Sequence, residues 1–267
     1  MQDVTLTQVV ESLTAVGIRA GDGVLVHAAI QFLGRPVGGV DMYRQGFDTA
    51  LGPDGTLAVP TFTFVFARGQ AYDPANTPSE QMGVFAEHIR TLPHAVRSPH
   101  PLQSVALIGR HAAEIASLDT PSAFDPGSAF ERMLDLDFTM VLLGASIRVA
   151  SIVHYSEQKA KVPYRVWKSF DGTVLRGGTA GPGTCRMFAR DLALDPRNDF
   201  TPVQVLLENR GLWRQVKLNY GSVAACRLRD VVAAADDLLA KDPWVLVKDG
   251  DALRRRMLSG MSQARHA

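Results

Sequence analysis

Gly23-Val-Leu-Val-His-Ala28, a turn-rich stretch holding Gly34, Pro36, Gly38 and Gly39, then Asp41 to Leu51, Gly52-Pro-Asp-Gly55 and Thr56-Leu-Ala-Val-Pro60 form the segment that decides the fold. The two short apolar runs bounded by turn signals read as buried strands. The run between them is a helix that Gly52-Pro-Asp-Gly55 closes. A strand–loop–helix–strand unit favours a parallel pair with the helix packed on the sheet.

Working outward, Val9, Val10, Leu13 and Val16 give Thr7 to Val16 a helical period, and Gly17 supplies its stop. Phe62 to Ser79 is rich in aromatic residues, Gly and Pro without periodicity, and a loop of that length is functional or disordered. Helices are expected at Gly83 to Thr91, around His111 to Ser117, and at Ser128 to Leu134. The last has Ser128 as cap and Glu131 at the capping-box position. Ser104 to Ile108 and Met140 to Leu143 read as further strands. Beyond Pro163 the short alternating runs Arg165–Phe170, Thr173–Leu175 and Thr184–Phe188 predict an antiparallel patch, followed by helices at Pro202–Asn209 and Leu228–Ala240. The expected class is α/β: a mixed, mostly parallel central sheet with flanking helices and a smaller antiparallel C-terminal patch. No linker or internal repeat divides the chain, so a single domain over 1–267 is expected.

The chain has 267 residues, 46% of them apolar, which is ample for a large core. A formal net charge of +1, with no basic run interleaved with aromatics, gives no electrostatic case for nucleic acid. The cluster Arg254-Arg255-Arg256 reads as the solvated end of a final helix. Cys185 and Cys226 make neither a metal spacing nor a disulfide framework and are expected to be reduced. No apolar run is long enough for a membrane span and no signal peptide opens the sequence, so a soluble, cytoplasmic protein is expected.

Chemistry concentrates in Ser146-Ile-Arg-Val-Ala-Ser-Ile-Val-His-Tyr-Ser-Glu157, which follows the strand-like run Thr139-Met-Val-Leu-Leu-Gly-Ala145. His154 and Glu157, three apart, share one helix face. A carboxylate on one ring nitrogen fixes the tautomer and raises the basicity of the other, which makes a general base. The address matches, because open α/β sheets keep their sites at the carboxyl ends of strands. The pair lacks the third ligand of a tight metal site, and no metal is expected. No Gly-x-Ser-x-Gly elbow marks a serine nucleophile.

Two other segments carry two readings each. In the loop from Ala28 to Asp41, Gly34, Gly38 and Gly39 either admit a phosphate to the start of the following helix or serve a tight turn with Asp41 as cap. Arg35-Pro-Val-Gly-Gly-Val40 approaches a common acetyltransferase phosphate loop but fails at its last position. In Arg97-Ser-Pro-His-Pro-Leu-Gln-Ser104, His100 either walls a substrate pocket or stands in a structural turn before the next strand.

Taken in order, Gly21-Asp-Gly-Val-Leu-Val-His27, Val37-Gly-Gly39, Leu51-Gly-Pro-Asp-Gly-Thr-Leu57 and Pro60-Thr-Phe-Thr63 resemble the antibiotic N-acetyltransferase family. Tyr72-Asp-Pro74, Pro78-Ser79 with Met82-Gly83, Arg97-Ser-Pro-His-Pro101, Phe124-Asp-Pro-Gly-Ser128, Leu142-Leu-Gly-Ala145 and His154-x-x-Glu157 continue the series. The best-known members are aminoglycoside 3-N-acetyltransferases. The resemblance implies acetyl-CoA-dependent transfer to an amine, on a fold distinct from the common acetyltransferase fold. It implies His154 as base and Glu157 as its orienter, with Ser151 joining them at the catalytic centre. The CoA site is implied at His27, Ala28, Ala29, Leu33, Gly34, Val37, Gly38 and Gly39, with Thr61 and Ser104. The acceptor is implied near Tyr72, Asp73 and His100. Expected partners are CoA and a small-molecule amine, with no nucleic acid or membrane; a homodimer is left open.

The chain departs from the family where Ala28-Ala29 replaces serines and where acidic character is diluted in Asn198-Asp-Phe-Thr-Pro-Val-Gln204. That weakens antibiotic resistance more than acetyl transfer. It keeps open an acyltransferase of sugar or natural-product biosynthesis, and a member that binds a ligand without turnover.

Overall fold

The computed structural model describes residues 2–264. In chain order these residues form β1 (Asp3–Val4), α1 (Leu6–Ala15), β2 (Gly23–Ala28), β3 (Arg35–Pro36), α2 (Asp41–Leu51), β4 (Thr56–Pro60), α3 (Gly83–Arg90), β5 (Val96–Arg97) and β6 (Val105–Gly109). Then come α4 (Ala112–Ala116), α5 (Ala129–Asp135), β7 (Thr139–Leu143), α6 (Val153–Ala160), β8 (Arg165–Arg176), β9 (Thr179–Arg190), α7 (Thr201–Asn209), β10 (Arg214–Leu218), β11 (Gly221–Arg227), α8 (Leu228–Lys241) and α9 (Gly250–Ala264). The unit β2–α2–β4 has the strand and helix limits read from the sequence.

A seven-stranded sheet in the order β10-β11-β7-β2-β4-β6-β5 carries the fold. Its central strands are apolar on both faces yet alternate strictly, since successive side chains point to opposite sides. Leu25, Ala58, Leu107, Met140 and Leu142 face one core, with residues of α4 to α8. Val24, Val26, Leu57, Val59, Val141 and Leu143 face the other, with Val9 and Leu13 of α1, Tyr43 and Phe47 of α2, and Phe85 of α3. Helices therefore cover both faces.

Parallel pairing is confined to the centre, where β2 lies between β4 and β7. β6 is antiparallel to β4, and β11 is antiparallel to β7. The sheet is mixed, with a narrower parallel part than the expected majority. The reason lies in two chain reversals: the turn at 98–104 sends β6 back between β4 and β5, and the turn at Asn219–Tyr220 does the same for β11 beside β7.

The antiparallel patch is one hairpin in which β8 and β9, 12 residues each, pair along their whole length. It meets the long loop after β4 through Tyr72, whose N–H donates to Thr173 O and whose carbonyl accepts from Leu175 N–H. At α5 the Ser128 hydroxyl accepts from the Glu131 N–H, as a cap should. The Glu131 carboxylate reaches the Gly127 N–H rather than that of Ser128. Cys185 and Cys226 are buried, unpaired thiols. Arg254 and Arg255 are exposed on α9, whereas Arg256 ties that helix to the carbonyls of Ala193 and Leu194. No helix among the described residues is long and apolar enough to cross a membrane.

Candidate active site

Two neighbouring strands end side by side, and the turns beyond their carboxyl ends build the site. β2 and β7 pair with His27 opposite Leu142, and the Ala29 N–H donates to Leu143 O just beyond. Gly144 turns the chain at φ +70°, where an added Cβ would lie 2.6 Å from Ala29 O. Only glycine fits so close an approach in that conformation. A 3-10 turn at Ile147–Val149 then leads through Ser151 into α6.

On α6, His154 Nδ1 lies 2.5 Å from Glu157 Oε2. Glu157 is fully buried, and both of its oxygens have further partners: Arg165 Nη2 stands 2.9 Å from Oε2, and the Tyr164 hydroxyl donates to Oε1 at 2.9 Å. These partners arrive because Lys161 ends α6 in the left-handed region (φ 51°), which folds Tyr164 and Arg165 back beneath Glu157. Phe124 and Phe200 hold the imidazole edge-on, with centroids at 6.0 and 5.6 Å. Arg165 Nη2 also approaches Nδ1 at 3.1 Å, but the carboxylate contact is much the shorter and makes that nitrogen the N–H, so Nε2 keeps its lone pair. Nε2 has no partner among the described residues.

Burial opposes ionisation of Glu157, but Arg165 and His154 outweigh it and hold the carboxyl below its usual range. For His154, burial is the largest influence and lowers the pKa. Arg165 lowers it further, and Glu157 only partly offsets them. Glu157 raises the basicity of the ring, but burial first and Arg165 second outweigh that rise, and the ring stays neutral and ready to accept a proton.

His154 opens onto a cleft of about 840 Å³ that His27, Ala28, Ala29 and Ser151 also line. Five of the expected residues thus converge, with Glu157 behind them. Ser151 Oγ lies 2.9 Å from His27 Nε2. The cleft adds residues not expected at the site, among them Phe32, Gln81, Arg148 and Tyr220.

The remaining expected residues lie elsewhere. Leu33 is fully buried in the core. Gly34 backs onto Gln2 O, Val37 is exposed, and Gly38 and Gly39 form the turn before α2 at positive φ. The Gly39 N–H donates to Pro36 O across a tight turn, and Asp41 does not cap. It is the first residue of α2, and its carboxylate accepts from Arg44, Gln45 and His88.

Thr61 and Ser104 are fully buried and receive the Arg97 guanidinium, which also donates to Thr61 O at 2.6 Å and Thr77 O at 2.5 Å. Arg97 lies over the ring of buried Tyr72, so these residues staple the long loop. Asp73 accepts from Ala75 N–H and the Asn76 amide within a turn. His100, buried, accepts the Leu102 and Gln103 N–H groups on Nδ1, and burial pushes its pKa down to about 4. It follows the structural-turn reading. Tyr164 and Arg165 were missed because no fixed spacing links them to Glu157 across a helix stop. Among the described residues no group of three His, Cys, Asp or Glu side chains is arranged for a metal.

Comparison with known proteins agrees with this geometry. The family model described as aminoglycoside 3-N-acetyltransferase matches residues 25–240. Aminoglycoside N(3)-acetyltransferase IV of Salmonella sp is 28% identical over 260 residues, 94% of this chain and 93% of that protein. Aminoglycoside N(3)-acetyltransferase VIII of Streptomyces fradiae is 30% identical over 195 residues, 66% of this chain and 68% of that protein. The crystal structure of the AAC(3)-IVa apoenzyme superposes with a TM-score of 0.77 at 25% identity, covering 96% of this chain and 98% of that one. With a family match spanning the sheet, the cleft and α6, the chain belongs to the aminoglycoside 3-N-acetyltransferase family of acyltransferases.

Proposed function

We propose that the protein transfers an acetyl group from acetyl-CoA directly to the amine of an aminoglycoside or related amino sugar, with His154 as general base. The observation that carries this reading is the buried Arg165–Glu157–His154 relay, which leaves a neutral Nε2 at the cleft. An alkyl ammonium must lose a proton before it can attack a thioester, and Nε2 takes it. The amine lone pair then forms the C–N bond and the carbonyl electrons move to oxygen, where the Ser151 hydroxyl donates. As that oxygen reforms its double bond the C–S bond breaks, the imidazolium returns the first proton to the leaving thiolate, and the again-neutral Nε2 takes the second proton from the acylated nitrogen and passes it to solvent. Relatives support both ligands: AAC(3)-IVa, in a mutant form, has been solved with a gentamicin and with apramycin, and AAC-IIIb with CoASH.

One observation favours the narrower acceptor class of sugar or natural-product biosynthesis. Among the described residues, Arg148 is the one side chain of fixed charge lining the cleft, and no carboxylate lines it. A polycation gains nothing from such a wall. The test is free-thiol release from acetyl-CoA with a panel of aminoglycosides and nucleotide-linked amino sugars, on wild type and His154→Ala. Turnover should vanish in the variant while CoA binding persists; an unchanged kcat refutes the base.

A further inference from the structure

The β8–β9 hairpin turns one face toward His154. Arg165, whose Nη2 comes within 3.1 Å of His154 Nδ1, and Trp167 lie two apart on β8 and so point the same way. Their partners across on β9 are Arg190 and Phe188, and Arg186 stands opposite Ser169. Directly opposed residues share a face. Phe188 packs onto the core cluster that holds Phe124, the ring edge-on to His154. Arg190 is near enough for its charge to lower the His154 pKa. From Arg165 to Ser169 this face is therefore aromatic and basic, and it carries no carboxylate.

Trp167 is held in place from behind. The Arg186 guanidinium lies 4.5 Å over its ring, and Arg186 Nη2 donates to both oxygens of Asp125, at 3.1 and 2.9 Å. Asp125 also accepts from Gln158, one turn past His154 on α6. Phe188 meets the indole at 5.2 Å and 44°. Trp167 is nevertheless 44% exposed, whereas large aromatic rings are mostly covered. Of the three guanidinium groups, Glu157 neutralises Arg165 and Asp125 neutralises Arg186. Arg190 is exposed, and its one hydrogen bond among the described residues goes to Pro196 O at 3.5 Å.

We propose that this hairpin face is the acceptor subsite: Trp167 stacks a sugar ring, Arg190 takes an anionic group carried by that sugar, and the preferred acceptor is an anionic amino sugar. This subsite rests on the acetyl-transfer reading above and narrows its acceptor. The apolar C–H face of a pyranose lies flat on an indole, and a ring already fixed in place loses little freedom when it is covered. Two residues along β8 span roughly 7 Å, a step that one sugar with its amino substituent covers. A guanidinium pairs well with phosphate or carboxylate, whereas a polycation would meet Arg190 and find no free acid on this face.

The test compares four acceptors at saturating acetyl-CoA: glucosamine, glucosamine 1-phosphate, an aminoglycoside, and 2-aminoethanol, which is too small to reach the hairpin from His154. Thiol release gives kcat and KM for wild type, Trp167→Ala, Trp167→Phe and Arg190→Gln, and thermal melts read folding. Wild type should prefer the phosphate-bearing sugar. Covering one face of a ring is worth about tenfold, so Trp167→Ala should lose about that much more kcat/KM on the two sugars than on 2-aminoethanol, through KM. Trp167→Phe should recover part of the loss, which separates stacking from folding. In Arg190→Gln the ratio of kcat/KM for glucosamine 1-phosphate over glucosamine should fall toward one.

Equal losses on sugars and 2-aminoethanol in Trp167→Ala, or a phosphate preference that is absent from wild type or survives in Arg190→Gln, would each overturn the subsite while leaving acetyl transfer standing. So would an aminoglycoside turned over better than the phosphate-bearing sugar. A wild type that releases no thiol with any amine overturns both.

Discussion

Replacing Arg165 with methionine probes the buried relay directly. The arginine side chain is 7% exposed and Glu157 is fully buried, so the substitution strands a carboxylate with only the Tyr164 hydroxyl and the His154 N–H. Removing one member of a buried ion pair costs about 3–5 kcal/mol, because the remaining charge stays desolvated. For a chain of this size, at roughly 2 °C per kcal/mol, that is a fall in Tm of roughly 5–9 °C.

The pH dependence has a definite sign. In the wild type the Glu157 pKa is depressed, so its contribution is complete above the ordinary glutamate value and fades as pH falls through the folded value. Without Arg165, burial dominates and raises that pKa. The variant then carries a penalty at neutral pH that is relieved as acidification protonates Glu157. Denaturant unfolding of both proteins across a series of buffers from mildly alkaline to mildly acidic should show a gap that narrows in the more acidic buffer. Adding Glu157→Gln to Arg165→Met should restore more than half of the lost stability without restoring turnover. Arg165 also lowers the His154 pKa, so the acid limb of kcat/KM should move to higher pH in Arg165→Met. A gap that is equal or wider in the acidic buffer, or a double variant no more stable than the single, refutes the reasoning.

Two further outcomes are expected. Tyr164→Phe removes the hydrogen bond to Glu157 Oε1 and should cost about 1.5–3 kcal/mol, the usual worth of a bond to a charged group; melts read the stability and kcat should fall several-fold. Gly144→Ala forces a Cβ against Ala29 O in a left-handed conformation, at a cost of about 2 kcal/mol or more. Its KM for acetyl-CoA should rise as the ends of β2 and β7 separate, and an unchanged KM would disconnect that turn from the cleft.

How much the sequence disclosed depends on how local each signal is. β2, α2 and β4 are set by runs and turns within a few residues, and their limits coincide with those read from the chain. The direction of β6 is not local: it depends on a turn at 98–104 that places it between two strands, and no periodicity encodes direction. His154 and Glu157 were legible through a helical spacing. Arg165 was not, because a left-handed residue at Lys161 separates it from the helix it serves. Thr61, Tyr72 and Ser104 show the reverse problem, since polar residues beside a loop look the same whether they face a ligand or, as here, a buried guanidinium.

The parallel pairing of β2 with β7 also bears on how the protein acquires its activity during synthesis. His27 emerges early and Ser151, His154 and Arg165 much later, and this central pair brings them together. Pairings between segments so distant in sequence form slowly, because loop closure must precede the contacts that reward it. Until β7 docks, β2 presents an open apolar edge of the kind that aggregates. Assembly of the cleft and protection of that edge are therefore a single late event, and a chain truncated before Thr139 would lack both.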